Sequence, residues 1–350
     1  MIVHVGLGGF ARAHLGEYTA DAGGWEIWGV APRSRTVVDA LRSRGHRYTL
    51  IVRDAHDTRR ELGVITRSLH APSEREAVLD ALATAEIVTL TVTEKAYRKD
   101  APVMALLREG LARRSSPATV LSLDNLPRNG EVLAGIVGDD RHRYPCTMVD
   151  RVVPASDDPS VVVAEPFRQW VIEDFDGPRP DWDALFVESS APHEALKLRL
   201  LNGTHSLLAY LGARLGAVTV ADAWAEPALV AAAERLATED LVPTLPEIPG
   251  IDVSEYRAQL SERWSNPGIA HRLAQIALDG DAKLPARFAE PARLRVAAGH
   301  PPRWIALVLA AYDGADAILD QFPPEVGELV HDWRARFAAD GVRATLSHSS

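Results

Sequence analysis

Residues 2–8, IVHVGLG, form a short apolar run that ends in a glycine turn, and helical spacing follows to about Ala22. That opening begins an alternation that constrains the chain more than any other feature. WEIWGVA (25–31) precedes a helical stretch through Arg44. YTLIVRD (48–54) and ELGVITRSL (61–69) read as further strands, and SEREAVLDALATA (73–85) has helical spacing. EIVTLTVTE (86–94), ATVLSLDN (118–125) and CTMVDRVVP (146–154) continue the pattern. Alternation of this kind predicts a Rossmann-like, doubly wound α/β domain with a mainly parallel sheet. From about Pro192 the texture changes. Alanine- and leucine-rich segments at 192–214, 221–240, 252–278, 302–320 and 324–339 carry apolar residues at helical spacing, which predicts a mostly α-helical C-terminal domain. The turn-rich GPRPDWD (177–183) is the linker candidate, giving a dinucleotide-binding domain over 1–185 and a helical substrate domain over 186–350.

A chain of 350 residues exceeds what one hydrophobic core comfortably serves, so two domains are expected on size as well. A net charge of −10 without long basic runs argues against nucleic acid as a partner. The apolar runs, such as WIALVLAAY (304–312), are shorter than the roughly 20 residues a membrane span needs. No basic leader precedes the first strand. These features predict a cytoplasmic protein, a monomer or small homo-oligomer, acting on a small molecule without membrane association. The single cysteine, Cys146, reads as a small buried hydrophobe and excludes both an internal disulfide and a multi-cysteine zinc site.

The first turn suits a dinucleotide. Gly6, Gly8 and Gly9, followed by Phe10, allow a tight turn and close approach of backbone to a pyrophosphate, with Ala11 where the usual fingerprint has its third glycine. An acidic residue closing the second strand, which would hold the ribose hydroxyls of NAD, is absent. Arg33, Ser34 and Arg35 stand there instead, suited to the 2′-phosphate of NADP or to packing beside the adenine, so preference between NAD and NADP stays open at this point.

Only four of the 38 Lys and Arg residues are lysines, at positions 95, 99, 197 and 283. Arginine holds its proton near neutrality, whereas a buried lysine can release one and serve as a general base. In KLRLLNGTH (197–205), an ideal helix at about 100° per residue puts Asn202 about 140° and His205 about 80° from Lys197, within one arc. The set has the parts for hydride transfer at a secondary alcohol. Lys197 would exchange the hydroxyl proton, Asn202 would donate to the developing oxyanion, and His205 would orient the lysine or a substrate hydroxyl. A helix kink with satisfied polar groups is the plainer account of Asn202 and His205.

KLRLLNGTHS resembles the signature of the polyol-specific long-chain dehydrogenase/reductase family, also called the mannitol dehydrogenase family. VGLGGFARAH, LTVTEKAY (90–97), LSLDNLPRNG (121–130), TMVDRVVP (147–154), FRQWVIEDF (167–175) and NPGIAHRLAQIALDGDAKLPARF (266–288) resemble the same family in the same order. The resemblance implies that Lys197, Asn202 and His205 are catalytic and that Asn125 is a second amide facing the reacting oxygen. It also implies that Glu94 and Asp150 line the site or its proton path, Glu94 on the cofactor side and Asp150 on the substrate side. His271, Arg272 and Lys283 would grip distal hydroxyls or a carboxylate. Without the resemblance, Asn125 reads equally as a cap of the following helix, and Asp150 with Arg151 as an ion pair. Leu123 stands where many relatives have cysteine. By the same resemblance the chain is shorter than most relatives and is expected to lack an N-terminal extension and an insertion after VTEKAY.

The expected activity is therefore a metal-independent, NAD-dependent (NADP possible) oxidoreductase. D-mannitol and D-fructose are the first expected pair, with D-mannonate and D-fructuronate, or tagaturonate, as the alternative. A dinucleotide-binding protein that has lost its catalysis is the competing class. No Cys/His/Glu set has zinc-ligand spacing. None of the seven tyrosines has a lysine four residues on, which removes the short-chain Tyr/Lys route.

Overall fold

The computed structural model describes residues 1–54 and 56–349, which fall into two compact units, Met1–Ala191 and Pro192–Ser350. The first unit is built on β1 (Ile2–Val5), β2 (Ile27–Ala31), β3 (Tyr48–Val52), β4 (Thr58–Leu62), β5 (Ile65–His70), β6 (Ile87–Leu90), β7 (Thr119–Ser122), β8 (Thr147–Asp150), β9 (Val161–Ala164), β10 (Gln169–Glu173) and β11 (Leu185–Val187). Its helices are α1 (Gly9–Ala13), α2 (Leu15–Ala22), α3 (Thr36–Ser43), α4 (Arg75–Thr84), α5 (Pro102–Ala112) and α6 (Asn129–Val137).

Five strands form a parallel sheet in the order β5-β2-β1-β6-β7. Both faces of that sheet are covered, which is why its strands read as unbroken apolar runs. Along β1 the side chains alternate. Val3 and Val5 join a core with Val78, Leu82, Met104 and Leu107 of α4 and α5, while Ile2 joins another with Leu15, Tyr18 and Leu41 of α2 and α3. Pro102 starts α5, where its missing N–H costs nothing, and Gly138 closes α6 in the left-handed conformation.

Two three-stranded sheets complete the unit, β4-β3-β9 and β11-β10-β8. The strand expected within 146–154 exists as β8 but does not continue the parallel sheet; it pairs antiparallel with β10, Val149 opposite Trp170. An apolar run signals a buried strand without specifying its neighbour. Cys146 is buried, as its composition suggested.

The second unit is helical. Its helices are α7 (Ala191–Leu196), α8 (Thr204–Arg214), α9 (Val220–Trp224), α10 (Pro227–Arg235), α11 (Val253–Ser265), α12 (Leu273–Ile276), α13 (Gly280–Ala297), α14 (Arg303–Ala311) and α15 (Pro324–Ser349). Local chemistry sets several starts. Thr219 and Asp222 form a capping box on α9, and the Asp252 carboxylate accepts from the N–H groups of Ser254 and Glu255 at the head of α11. α14 is buried all round from Trp304 to Ala311 and forms the centre of this core.

Three features differ from the spacing. α7 and α8 are joined by a π-helical stretch, Lys197–Gly203, instead of one regular α-helix. The helix expected over 302–320 stops at Ala311 and gives way to short 3₁₀ turns. α13 was masked by Pro285 and Pro291, which lie inside it although proline removes a helical hydrogen bond. Among the described residues no helix is long and apolar enough to cross a membrane.

Candidate active site

In the first unit the loops after β1, β2, β6 and β7 leave the same edge of the sheet, because these strands are parallel and in register through Val5, Val30, Leu90 and Ser122. The strand order reverses at β1, with β2 on one side and β6 on the other, the place where doubly wound sheets bind ligands. Gly6, just past β1, has φ +108, and a Cβ there would fall 2.0 Å from the Thr91 carbonyl oxygen, so only glycine fits. Gly8 is the N-cap of α1 and is exposed. No side chain caps that helix, and a Cβ at Gly8 would meet only the Gly6 oxygen at 3.8 Å. Gly9 and Phe10 are half-buried, with the Phe10 ring stacked on His14 at 5.1 Å. The N–H groups of Gly6 and Leu7 bond the Val30 carbonyl and that of Gly8 the Gly6 carbonyl, so the donors suited to a pyrophosphate are the first N–H groups of α1, which no side chain caps.

Arg33 and Ser34 lie exposed in the loop after β2. The Arg33 carbonyl is 2.9 Å from His70 Nε2, and Ser34 Oγ accepts from the Thr36 N–H at 3.2 Å. Glu94 is exposed at the start of a 3₁₀ turn, preceded by Thr93 at φ +72, a conformation that costs a β-branched residue energy. Asp124 holds this backbone in place. Its carboxylate accepts from the N–H groups of Val92 and Thr93, each at 2.9 Å, and from the Tyr97 hydroxyl at 2.8 Å. Burial nonetheless pushes the Asp124 carboxyl up.

Asn125 follows Asp124 and is exposed. The alternative reading of Asn125 as a helix cap does not match the geometry, since the N-cap of α6 is Arg128 and no side chain caps it. Asn129 does the structural work of this segment: Nδ2 donates to the carbonyls of Ser122, Asp124 and Thr147, and Oδ1 accepts from the Thr147 N–H at 2.9 Å. Asp150 ends β8 and is buried. The buried Arg151 guanidinium pairs with Glu17 and donates to the carbonyls of Ala13 and Glu165.

One buried histidine escaped the sequence reading. His4 of β1 sits beneath the turn, Nδ1 2.8 Å from Thr89 Oγ1 and Nε2 3.0 Å from Thr91 Oγ1 and 3.1 Å from the Gly6 carbonyl. Burial lowers it to about 4, so it is neutral at physiological pH. Its position in an apolar strand carried no signal of the two threonines that would meet it.

In the second unit, Lys197 opens the π-helical stretch and is buried; Asn202 lies in the same stretch, half-buried. A π-helix bonds i to i+5 and adds residues to each turn. Lys197 and Asn202, five apart, are therefore one π turn from each other, closer in angle than the ideal α-helix predicts. His205 follows on α8, 7% exposed. Its pKa is driven well down, first by burial and then by the positive field of His271, Arg263, Arg287 and Lys197. A neutral imidazole is the result. The His271 ring meets that of His205 edge-on at 5.5 Å, with Trp264 6.0 Å away on another side.

The distal candidates separate. His271 joins the cluster, and burial lowers it too. Lys283 is half-buried on α13, its Nζ 3.5 Å from the Ile276 carbonyl. Arg272 is exposed at the head of α12, where its backbone bridges to Thr219. Sequence reasoning missed Arg287, one helical turn beyond Lys283. It is buried, and Nη1 donates to Ser206 Oγ at 2.6 Å.

Comparisons with known proteins agree with this organisation. A family model described as the mannitol dehydrogenase Rossmann domain matches residues 1–184, and one described as the mannitol dehydrogenase C-terminal domain matches residues 190–314. The chain is 34% identical to a D-mannonate oxidoreductase of Escherichia coli (strain K12) over 426 aligned positions, covering 99% of this chain and 88% of that protein. That alignment is longer than the chain, so the relative carries inserted stretches. It is 33% identical to a mannitol 2-dehydrogenase of Pyrenophora tritici-repentis (strain Pt-1C-BFP), covering 89% of this chain and 68% of the relative. The fold superposes with a TM-score of 0.86 on the Pseudomonas fluorescens mannitol 2-dehydrogenase ternary complex with NAD and D-mannitol, at 28% identity, over 99% of this chain and 93% of that one.

Proposed function

The chain belongs to the mannitol dehydrogenase family, and from that premise we propose that it interconverts a secondary alcohol of a linear polyol or sugar acid with the corresponding ketone, Lys197 acting as general acid and base. It is an NAD-dependent oxidoreductase. NAD, when bound, supplies the hydride acceptor. Gly6, Gly8, Gly9 and Phe10 would hold it at the first turn, and Arg33, Ser34 and Glu94 would be its further contacts.

The proton is handled by the chain. In oxidation Lys197 Nζ takes the hydroxyl proton as the carbinol carbon loses its hydride. In reduction the ammonium returns that proton to the alkoxide. Asn202 and Asn125 donate amide hydrogen bonds to the oxygen on which negative charge develops. His205, kept neutral, offers one nitrogen as an acceptor and the other as a donor, which suits it to orient an amine or a hydroxyl. Asp150, His271, Arg272 and Lys283 are the proposed contacts to the remainder of the substrate.

One observation supports this reading above the others: a lysine, in a chain that otherwise prefers arginine, is buried in a π-helical stretch and contributes to the field that keeps the buried His205 neutral. Two substrate pairs fit, D-mannitol with D-fructose and D-mannonate with D-fructuronate, and relatives of both kinds are similar over most of the chain. Reduction of D-fructose, D-fructuronate and D-tagaturonate with NADH and NADPH separates them. A panel without turnover would sink the enzyme reading and favour a binding protein.

A further inference from the structure

Arg287 takes no part in the chemistry above, yet it is a buried cation beside the π-helical stretch. Its side chain is 8% exposed, and Ser206 Oγ accepts one of its five N–H groups. Ser206 in turn donates to the Asn202 carbonyl at 3.2 Å, which ties the guanidinium to the π-helical stretch. Among the described residues no carboxylate lies within ion-pair distance of Arg287. Lys197, Arg263 and His271 share its neighbourhood around His205, and the ionisable group that acts on Arg287 itself is the Tyr210 phenol, whose own pKa burial raises, so that it stays neutral. Burying a guanidinium without a counter-charge is costly, and burial here pulls it down to about 10. The hydroxyl oxygens of a neutral polyol could accept from its N–H groups but would leave that charge unbalanced. A carboxylate would balance it and accept two of its N–H groups side by side.

We propose that Arg287 receives the carboxylate of the substrate, so that the enzyme's own substrates are sugar acids, an aldonate and the matching keto-uronate, in preference to a neutral polyol and ketose. The inference rests on the oxidoreductase reading above and assigns its substrate class. Arg287 thereby becomes the specificity-determining residue, with Ser206 as the group that holds it in position.

The test measures kcat/KM for D-fructuronate and for D-fructose with NADH in the wild type, Arg287→Gln and Arg287→Lys. The wild type should favour D-fructuronate. Arg287→Gln should lower the fructuronate-to-fructose ratio by about 10- to 100-fold, mostly through KM, the loss expected when a charged hydrogen-bonded contact is removed. Arg287→Lys should restore part of it. A wild-type preference for D-fructose, or an equal loss on both sugars in Arg287→Gln, overturns the proposal. Should Arg287→Gln fail to fold, Ser206→Ala should raise KM for D-fructuronate more than for D-fructose, and an equal rise overturns it. Thermal stabilisation by D-mannonate against D-mannitol supplies a readout independent of turnover. If neither sugar is reduced, the oxidoreductase reading fails on its own, and the carboxylate site still stands or falls on whether D-mannonate raises Tm in the wild type and not in Arg287→Gln.

Discussion

At the residue scale the proposal depends on a buried amine and on a buried imidazole that feels its charge. Lys197→Ala should lower kcat by several orders of magnitude with little change in NADH affinity, read by cofactor fluorescence, because the lysine acts mainly in the transition state. Activity within tenfold of wild type would remove it from the mechanism. Asn125→Ala and Asn202→Ala should each cost about 10²- to 10³-fold in kcat, the range for a lost oxyanion donor. Buried histidines set the acid limit of the fold. His4 is lowered to about 4, so between the unfolded value of 6.5 and that point the unfolded chain binds a proton that the folded chain refuses. Stability is thus intact above about pH 6.5 and falls as pH drops toward 4, by roughly 3 kcal/mol for a shift of this size. His205 adds in the same direction. A Tm series from pH 7.5 to 4.5 should slope downward on the acid side, and His4→Gln should flatten it. An unchanged slope would show that His4 is not the titrating group.

Elements matter where they depart from regularity. Ideal α-helical spacing had placed Asn202 well around the helix from Lys197, and the π turn brings them together. Gly203 at the end of KLRLLNG marks a place where the helix can depart from regularity, but nothing in the segment specifies a π turn. Gly203, at the end of the π stretch, leaves room for Phe288 of α13 and for Leu241: a Cβ there would stand 3.1 Å from Phe288 Cε1 and 3.3 Å from Leu241 Cδ1. Phe288 is fully buried and has nowhere to retreat. Gly203→Ala should therefore destabilise by about 1–2 kcal/mol in urea titration, the overpacking cost exceeding alanine's better helix propensity. A stabilised variant would show that α13 yields. The first turn is stricter, since Gly6→Ala would drive a Cβ into the Thr91 carbonyl. That variant should lose NADH binding even where it folds.

For the whole molecule, each unit buries its own core, and each core explains what its half of the chain looks like. Parallel strands covered on both faces give apolar runs in the first, and packed helices give alanine- and leucine-rich periodicity in the second. Among the described residues no group of three or more His, Cys, Asp or Glu side chains is placed to hold a metal ion. Dialysis against EDTA should leave kcat unchanged, and loss restored by a divalent cation would contradict the lysine mechanism. Saturating NAD should raise stability by about 2.7 kcal/mol at a hundredfold excess over Kd.

Sequence by itself determined the two textures, the glycine turn after the first strand and the lysine, asparagine and histidine that share one segment. Each of these is carried by residues close together in the chain, where periodicity and conformational preference act directly. Tertiary structure alone decided that β8 joins β10, that Asp124 and Asn129 fasten the loops around Asn125, that His4 is held by two threonines, and that Arg287 lies buried against Ser206 with no carboxylate among the described residues at ion-pair distance. These depend on which side chains meet across tens of residues. Burial and charge take their meaning from that meeting, and a spacing pattern contains no record of it.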